Sequence, residues 1–236
     1  MSEWKQKRFW KEAVVEQRGQ GFAVLLDGRQ IKTPAGVLLE LPSQPLAEHV
    51  AREWDSQTDV ILPQSMPMTR AANSAIDKVA PNRNDVVTML AAYAETDLVC
   101  YRADGPHTLI ERQAEAWDEI LRWAEADLDA RLVPTQGIIP VPQPPSSLRN
   151  LHDRVDSFTP FELVAVADLV TLSGSLVLGL AATTRRWDAG DLWQRSRVDE
   201  LWQIEQWGED AEATAAAEIK RSAFLDAVDF FGLVQV

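Results

Sequence analysis

Residues 21–36 read GFAVLLDGRQIKTPAG, and their pattern decides the class of the fold. GFAVLLD is a short apolar run, Asp27-Gly28 has the composition of a two-residue hairpin turn, and RQIKT resumes on its far side. Thr33-Pro34-Ala35-Gly36 supplies a second turn before VLLEL, while RFWKEAVVEQ upstream alternates weakly between apolar and polar side chains. These residues predict a small antiparallel sheet at the amino terminus.

Helical spacing takes over from Ser43. PSQPLAEHVAREWDSQ repeats apolar positions at Leu46, Val50 and Trp54, and VILPQSMPM after it is extended, punctuated by Pro63 and Pro67. TRAANSAIDKV reads as a short helix, NRNDVVTMLAAYAE as a helix capped by Asn82, and HTLIERQAEAWDEILRWAEADL as a bundle helix with a stripe of Ile110, Ala114, Trp117, Leu121, Ala124 and Leu128. VPTQGIIPVPQPPSS, residues 133–147, is a proline-rich connector without helix or sheet potential, of a composition that also suits a docking strand. Three more helices are expected, at about 160–183, 189–206 and 209–231. The expectation is an α+β protein: a β-rich amino-terminal domain over residues 1–68 and a larger helical domain over 69–236. Trp54, on the face shared with Leu46 and Val50, is expected at the joint between the two.

Composition narrows the function. With 46% hydrophobic and 25% charged residues the chain is of ordinary globular type. Its net charge of -13, from 36 acidic against 23 basic residues, repels phosphate backbones and anionic lipid, so a protein with basic or amphipathic surface is the better partner than nucleic acid. The single cysteine, Cys100, excludes an internal disulfide framework and suits a reducing compartment. MSEWKQKRFWKEAV has neither a signal-peptide apolar region nor the texture of a transit peptide, which predicts a cytoplasmic protein. LVAVADLVTLSGSLVLGLAA, residues 163–182, is long enough to span a bilayer, but a central Asp168 costs roughly 2.5 to 3.5 kcal/mol there, and Thr159, Pro160 and Glu162 form the start of a soluble helix. A buried central helix is expected, without membrane insertion. Its small residues Ala167, Thr171, Ser175 and Gly179 recur every fourth position and predict close approach of another helix.

No constellation for chemistry stands out. His49, His107 and His152 are far apart and none has a second ligand at helical spacing, so no metal is expected. Gly19-Gln20-Gly21 lacks the third small residue of a dinucleotide fingerprint and reads as a hairpin turn, so no cofactor is expected either. LSGSLVLG lacks the nucleophile elbow, and Cys100 reads as a small buried apolar side chain.

SRVDELWQIEQWGEDAEA, residues 196–213, is the densest patch of indole and carboxylate. On a helical wheel Trp193, Ile204, Trp207, Ala211 and Ala215 fall on one side as a core stripe, with Leu201 at its margin. Trp202 points almost opposite with Glu205, Glu209 and Glu212, which suggests a recognition spot built from an aromatic anchor among polar groups. The competing reading is that a neighbouring element covers Trp202 and the glutamates are a solvated rim. An acidic-site hydrolase of a small cationic substrate, and a scaffold that binds another protein through residues 133–147, are alternatives of other classes.

Together with GFAVLLDGRQIKTPAG, LPSQPLAEHVAREWDSQ, ILPQSMPMTRAANSAID and LVTLSGSLVLGLA, that stretch resembles the assembly chaperones for the alpha subunit of the F-type ATP synthase catalytic head. The resemblance runs from Arg8 to about Phe231. It implies a β-rich domain followed by a helical one, no enzymatic activity, and binding to unassembled alpha subunit so that its partner-facing surface stays shielded. It also implies that an acidic residue near Trp207-Gly208 matters, with Glu209 and Glu212 both open. Motifs that begin within ten residues of Met1 suggest a bacterial, cytoplasmic member of a family that is mitochondrial in eukaryotes, expected to act as a monomer.

Overall fold

Asp27 and Gly28 both adopt positive φ, 46° and 80°, the primed-turn geometry whose twist matches two antiparallel strands. The computed structural model describes residues 7–235; the first six residues of MSEWKQKRFWKEAV, on which part of the leader-free reading rests, and Val236 lie outside the described residues. Strand β1 (Ala13–Arg18) pairs antiparallel with β2 (Gly21–Leu26). β3 (Arg29–Gln30) and β4 (Glu40–Leu41) share the opposite edge of β2, the first at Leu25 and Leu26, the second at Phe22 and Ala23. The run Ala23 to Leu26 is buried on both faces, which is why it reads as continuously apolar.

Helix α1 (Gln44–Asp55) starts at Ser43, whose hydroxyl accepts from the Leu46 amide at 3.3 Å and donates to the Leu233 carbonyl. Its buried face is Leu46, Ala47, Val50 and Ala51, laid against β1 and β2. Trp54 packs edge-on against Trp10, ring centroids 5.2 Å apart. The next helix, α2 (Pro67–Ser74), has no capping side chain of its own. Glu53 of α1 fills the role: its carboxylate accepts from the Met68 and Thr69 amides, each at 2.7 Å, and from the Thr69 hydroxyl at 2.6 Å. A π turn and a 3-10 turn carry the chain without interruption from α2 into α3 (Arg83–Ala91). Asn82 therefore is not a helix cap as expected; its side-chain amide donates to the Lys78 carbonyl one turn back.

The remaining elements are β5 (Tyr101–Arg102), α4 (His107–Leu128), β6 (Thr135–Gln136), α5 (Pro145–Asp156), α6 (Pro160–Ser173), α7 (Leu176–Ala182), α8 (Ala189–Arg195), α9 (Val198–Trp207) and α10 (Ala211–Val234). The α+β class holds, with the antiparallel sheet first and helices after it. The chain forms two compact units. One gathers the residues up to Arg83 with Pro160–Ala165 and the segment from Asp229 onward; the other holds Asn84–Thr159 and Val166–Val228. Within the first, Phe161 stacks on Phe230 at 6.5 Å.

In the second unit α4 buries Leu109, Gln113, Trp117, Ile120, Trp123 and Ala124. That stripe is rotated from the expected one: of the predicted six positions only Trp117 and Ala124 are fully buried. Buried Gln113 explains the rotation, since its side chain accepts from the Ala103 amide at 2.8 Å and donates to Asp199 at 2.7 Å, a polar anchor that apolar periodicity misses. The proline-rich connector contributes β6, paired parallel with β5, and its last prolines open the unanticipated helix α5 at Pro145.

The single helix expected at 160–183 is two. Gly174 takes φ 71° after α6, Ser175 caps α7 through the Leu178 amide at 3.0 Å, and α7 folds back on α6. Of the expected small-residue ridge only Gly179 makes a close approach, and it does so between halves of the same apolar run: a Cβ there would lie 2.6 Å from Val170 Cγ2 and 3.1 Å from the Val170 amide nitrogen, whereas Thr171 is exposed, Ala167 is half-buried and Ser175 serves as the cap of α7. Among the described residues no helix is long and apolar enough to cross a membrane. Gly179→Ala overpacks this crossing and is expected to destabilise by about 1 to 3 kcal/mol. A urea titration checks it; an unchanged midpoint would mean that α7 retreats at no cost.

Asp97 seals the fold-back. Fully buried, it accepts from the Val99 amide at 3.2 Å and the Val177 amide at 3.1 Å, so one carboxylate starts both a 3-10 turn and α7. Burial pushes its carboxyl up to about 6, against the opposite pull of its hydrogen bonds from Ser175 and the backbone amides. The folded state thus holds this proton more tightly than the unfolded chain does. Asp97 therefore favours folding below pH 4, and that contribution, on the order of 3 kcal/mol, is lost as the pH rises to about 6. In Asp97→Asn the stability difference between pH 4.5 and 6.5 should shrink by an amount of this order. An identical pH slope in both proteins would assign the titration elsewhere.

Candidate functional site

The indole-carboxylate stretch does not form one helix. α8, capped by Asp188 through the Asp191 amide at 3.1 Å, ends before Ser196, and α9 restarts at Val198 with a new phase. Trp193 is buried on α8, tilted against Phe224 at 5.7 Å. Trp117 locks the break by donating its indole N–H to the Arg195 carbonyl at 2.7 Å. α9 stops at Gly208, whose φ of 92° and ψ of 169° suit glycine and few other residues. Asp210 then starts α10, accepting from the Ala213 amide at 2.7 Å.

These two breaks redistribute the residues singled out in the sequence. Trp207, expected in the core stripe, is 75% exposed, because the stripe is interrupted at Ser196-Arg197 and the helix ends at Trp207 itself. It meets half-buried Trp202 edge to face, centroids 5.8 Å apart. Trp202 and Glu205 lie on α9, Glu209 lies in the turn, and Glu212 lies on the first turn of α10, so the four do not share one helix face. Glu209 accepts from the Thr214 hydroxyl at 2.9 Å, and the Glu212 residue is exposed. Trp54 sits beside Trp10 in the other compact unit.

Glu205 already has a partner in the fold. Arg112 on α4 grips it through two parallel bonds, Nη1 to Oε1 at 2.8 Å and Nη2 to Oε2 at 2.7 Å, and this guanidinium holds the carboxyl below its ordinary range. The pair is solvent-exposed, so it orients α9 on α4 more than it stabilises the protein. Arg112 was not foreseen; it stands 93 residues from Glu205, and no local pattern joins them.

Between α8–α9 and the first half of α10 runs a cleft of about 490 Å³. Its apolar lining is Trp193, Leu201, Ile204, Trp207, Ala213 and Ala217. Arg197, Glu200, Glu209, Asp210, Glu218 and Arg221 form a charged rim. The wall from Ala211 to Ser222 is exposed except at Ala217 and Arg221, which are half-buried.

Elsewhere the chemistry is quiet. Among the described residues no three His, Cys, Asp or Glu side chains are grouped to hold a metal ion. Cys100 is buried, and burial pushes its thiol up to about 12, far from a reactive thiolate. Asp97 titrates abnormally but is wrapped in backbone amides with no solvent-accessible surface. The connector carries a second exposed apolar feature: Ile138 and Ile139, 91% and 75% exposed, stand just past β6.

The comparisons with known proteins agree with this architecture. Residues 7–125 match the family described as ATP12 chaperone protein. Atp12 from Paracoccus denitrificans is similar at 47% identity with a TM-score of 0.95, covering 98% of this chain and 100% of that one. A candidate chaperone from Agrobacterium tumefaciens is similar at 34% identity and TM-score 0.92, over 96% of this chain and 85% of that one. The mitochondrial protein atp12 of Schizosaccharomyces pombe is 23% identical over 94% of this chain and 81% of its own length. A sheet followed by helices and end-to-end similarity to these proteins converge: the chain belongs to the ATP12 chaperone family of ATP synthase assembly.

Proposed function

We propose that the protein binds unassembled alpha subunit of the ATP synthase catalytic head and shields the surface that later meets its partner subunit. It acts as a monomer in the cytoplasm, without catalysis and without a cofactor. The observation that carries this reading is the exposed arm of α9 and α10. Trp207 stands in solvent, Trp202 leans on it, and Glu209 and Glu212 flank the turn beside them. Aromatic anchors mixed with charge suit a client that must be covered and then released, because a moderate, partly polar interface dissociates where a fully apolar one persists. The net charge of -13 speeds encounter with any basic client surface.

Light scattering from aggregating isolated alpha subunit is the test. Equimolar protein should suppress it; unchanged scattering at several-fold excess would overturn the reading. Trp202→Ala should cost about 2 kcal/mol or more in affinity if the indole is an anchor. Glu209→Lys and Glu212→Lys, at exposed positions, should melt like the parent and slow association. If all three variants bind normally, the client is held elsewhere. Ile138→Ser with Ile139→Ser then separates the connector reading, since these two are the most exposed large apolar side chains of the connector.

A further inference from the structure

We infer that the cleft between α9 and α10 seats a single amphipathic helix of a protein partner, with small or medium apolar side chains on its inner face and basic residues along its flanks. The inference rests on the chaperone reading and names the chemistry of what the arm holds. The lips of the cleft are helices, so their central backbone N–H and C=O groups are already spent within α9 and α10. An extended segment laid between them would find few ladder partners for its own amides, whereas a helix arrives with its hydrogen bonds made.

Size and surface agree with a helix. The open wall from Ala211 to Ser222 is about 18 Å long at about 1.5 Å per residue, roughly three turns. Ala213 and Ala217 stand one turn apart on the cleft side, so an incoming helix can approach closely there. Trp207, 75% exposed, and half-buried Ile204 one turn before it supply the apolar contact. Gly208 adds no side chain to the turn that joins the two walls, so Glu209 and Asp210 are the only side chains it presents there.

Charge sets the flanks. The rim has four carboxylates and two guanidiniums. Arg221 is paired with Glu218 at 3.1 Å and Arg197 lies 3.9 Å from Glu200. Glu209 and Asp210 remain, accepting from the Thr214 hydroxyl and the Ala213 amide and, among the described residues, facing no cation. The unneutralised rim is therefore anionic and fits Lys or Arg beside an apolar strip.

Anisotropy of a fluorescein-labelled leucine–lysine amphipathic peptide of about 14 residues, with apolar positions at helical period, tests this on the intact chain. A leucine–glutamate peptide of the same pattern and a scrambled leucine–lysine peptide are the controls. The patterned basic peptide should bind at least ten-fold tighter than either. Ala217→Trp fills the cleft without changing charge and should weaken that binding ten-fold or more. Ala216→Trp adds the same indole at an exposed position outside the lining and should leave it unchanged. Ala213→Trp repeats the block from the mouth if Ala217→Trp melts early. Equal binding of the scrambled or acidic peptide, or binding indifferent to both cleft-filling changes, overturns the proposal. The two readings fail separately. Suppressed alpha-subunit scattering with peptide binding indifferent to the cleft sinks only this inference. Cleft-dependent peptide binding with unsuppressed scattering sinks only the identity of the client.

Discussion

The fold-back at Gly174 and Ser175 is the constraint on which the helical part of the molecule depends. The apolar run from Leu163 to Ala182 cannot continue straight as one helix without leaving its far half unpacked; it breaks, and Leu176 through Ala182 all become buried. The break opens a helix N-terminus inside the core, where unsatisfied amides cost most. Ser175 meets one of them and Asp97 meets another, from a segment 80 residues away. The carboxylate has raised affinity for its proton because it is buried, yet it is retained because nothing apolar could satisfy those donors.

The same device recurs at the surface with the opposite result. Gly208 interrupts an apolar rhythm as Gly174 does, but the helix that follows is not folded onto its predecessor over its first three turns. A buried break makes a core, and an exposed break makes a cleft. What decides between them is composition after the glycine: LVLGLAA packs against Val170, whereas AEATAAAE is small and charged and cannot drive its own burial. The cleft is thus a place where the chain has stopped short of completing its own packing.

Polar anchors hold the surrounding scaffold in place. Glu53 starts α2, Gln113 ties α4 to Asp199, and Arg112 ties α4 to Glu205. Each is a long polar side chain bridging separate elements, the first across 16 residues of sequence and the other two across 86 and 93. The last two give α9, one wall of the cleft, a fixed seat, while among the described residues the exposed wall of α10 has no equivalent tie before Phe224 at its base. The contrast between a seated and an open wall is consistent with a surface that accepts a partner.

Local pattern carried much of the architecture. The Asp27-Gly28 hairpin, the helix that follows Ser43 and the full extent of α4 are written in turn chemistry and periodicity, which act over a few residues and need no tertiary information. The patch of Trp202, Trp207 and the glutamates was likewise visible as composition. Its geometry was not: the sequence predicts a helix boundary near Gly208, but the helical wheel runs across it and across the unforeseen break at Ser196-Arg197, and the two breaks move Trp207 from core to solvent and separate Glu212 from Trp202. The rotation of α4, the helix at Pro145, the pairing of Arg112 with Glu205 and the burial of Asp97 were decided only in three dimensions. Gln113, Arg112 and Asp97 each depend on a partner 80 or more residues away, and a single sequence records the partners without recording that they meet.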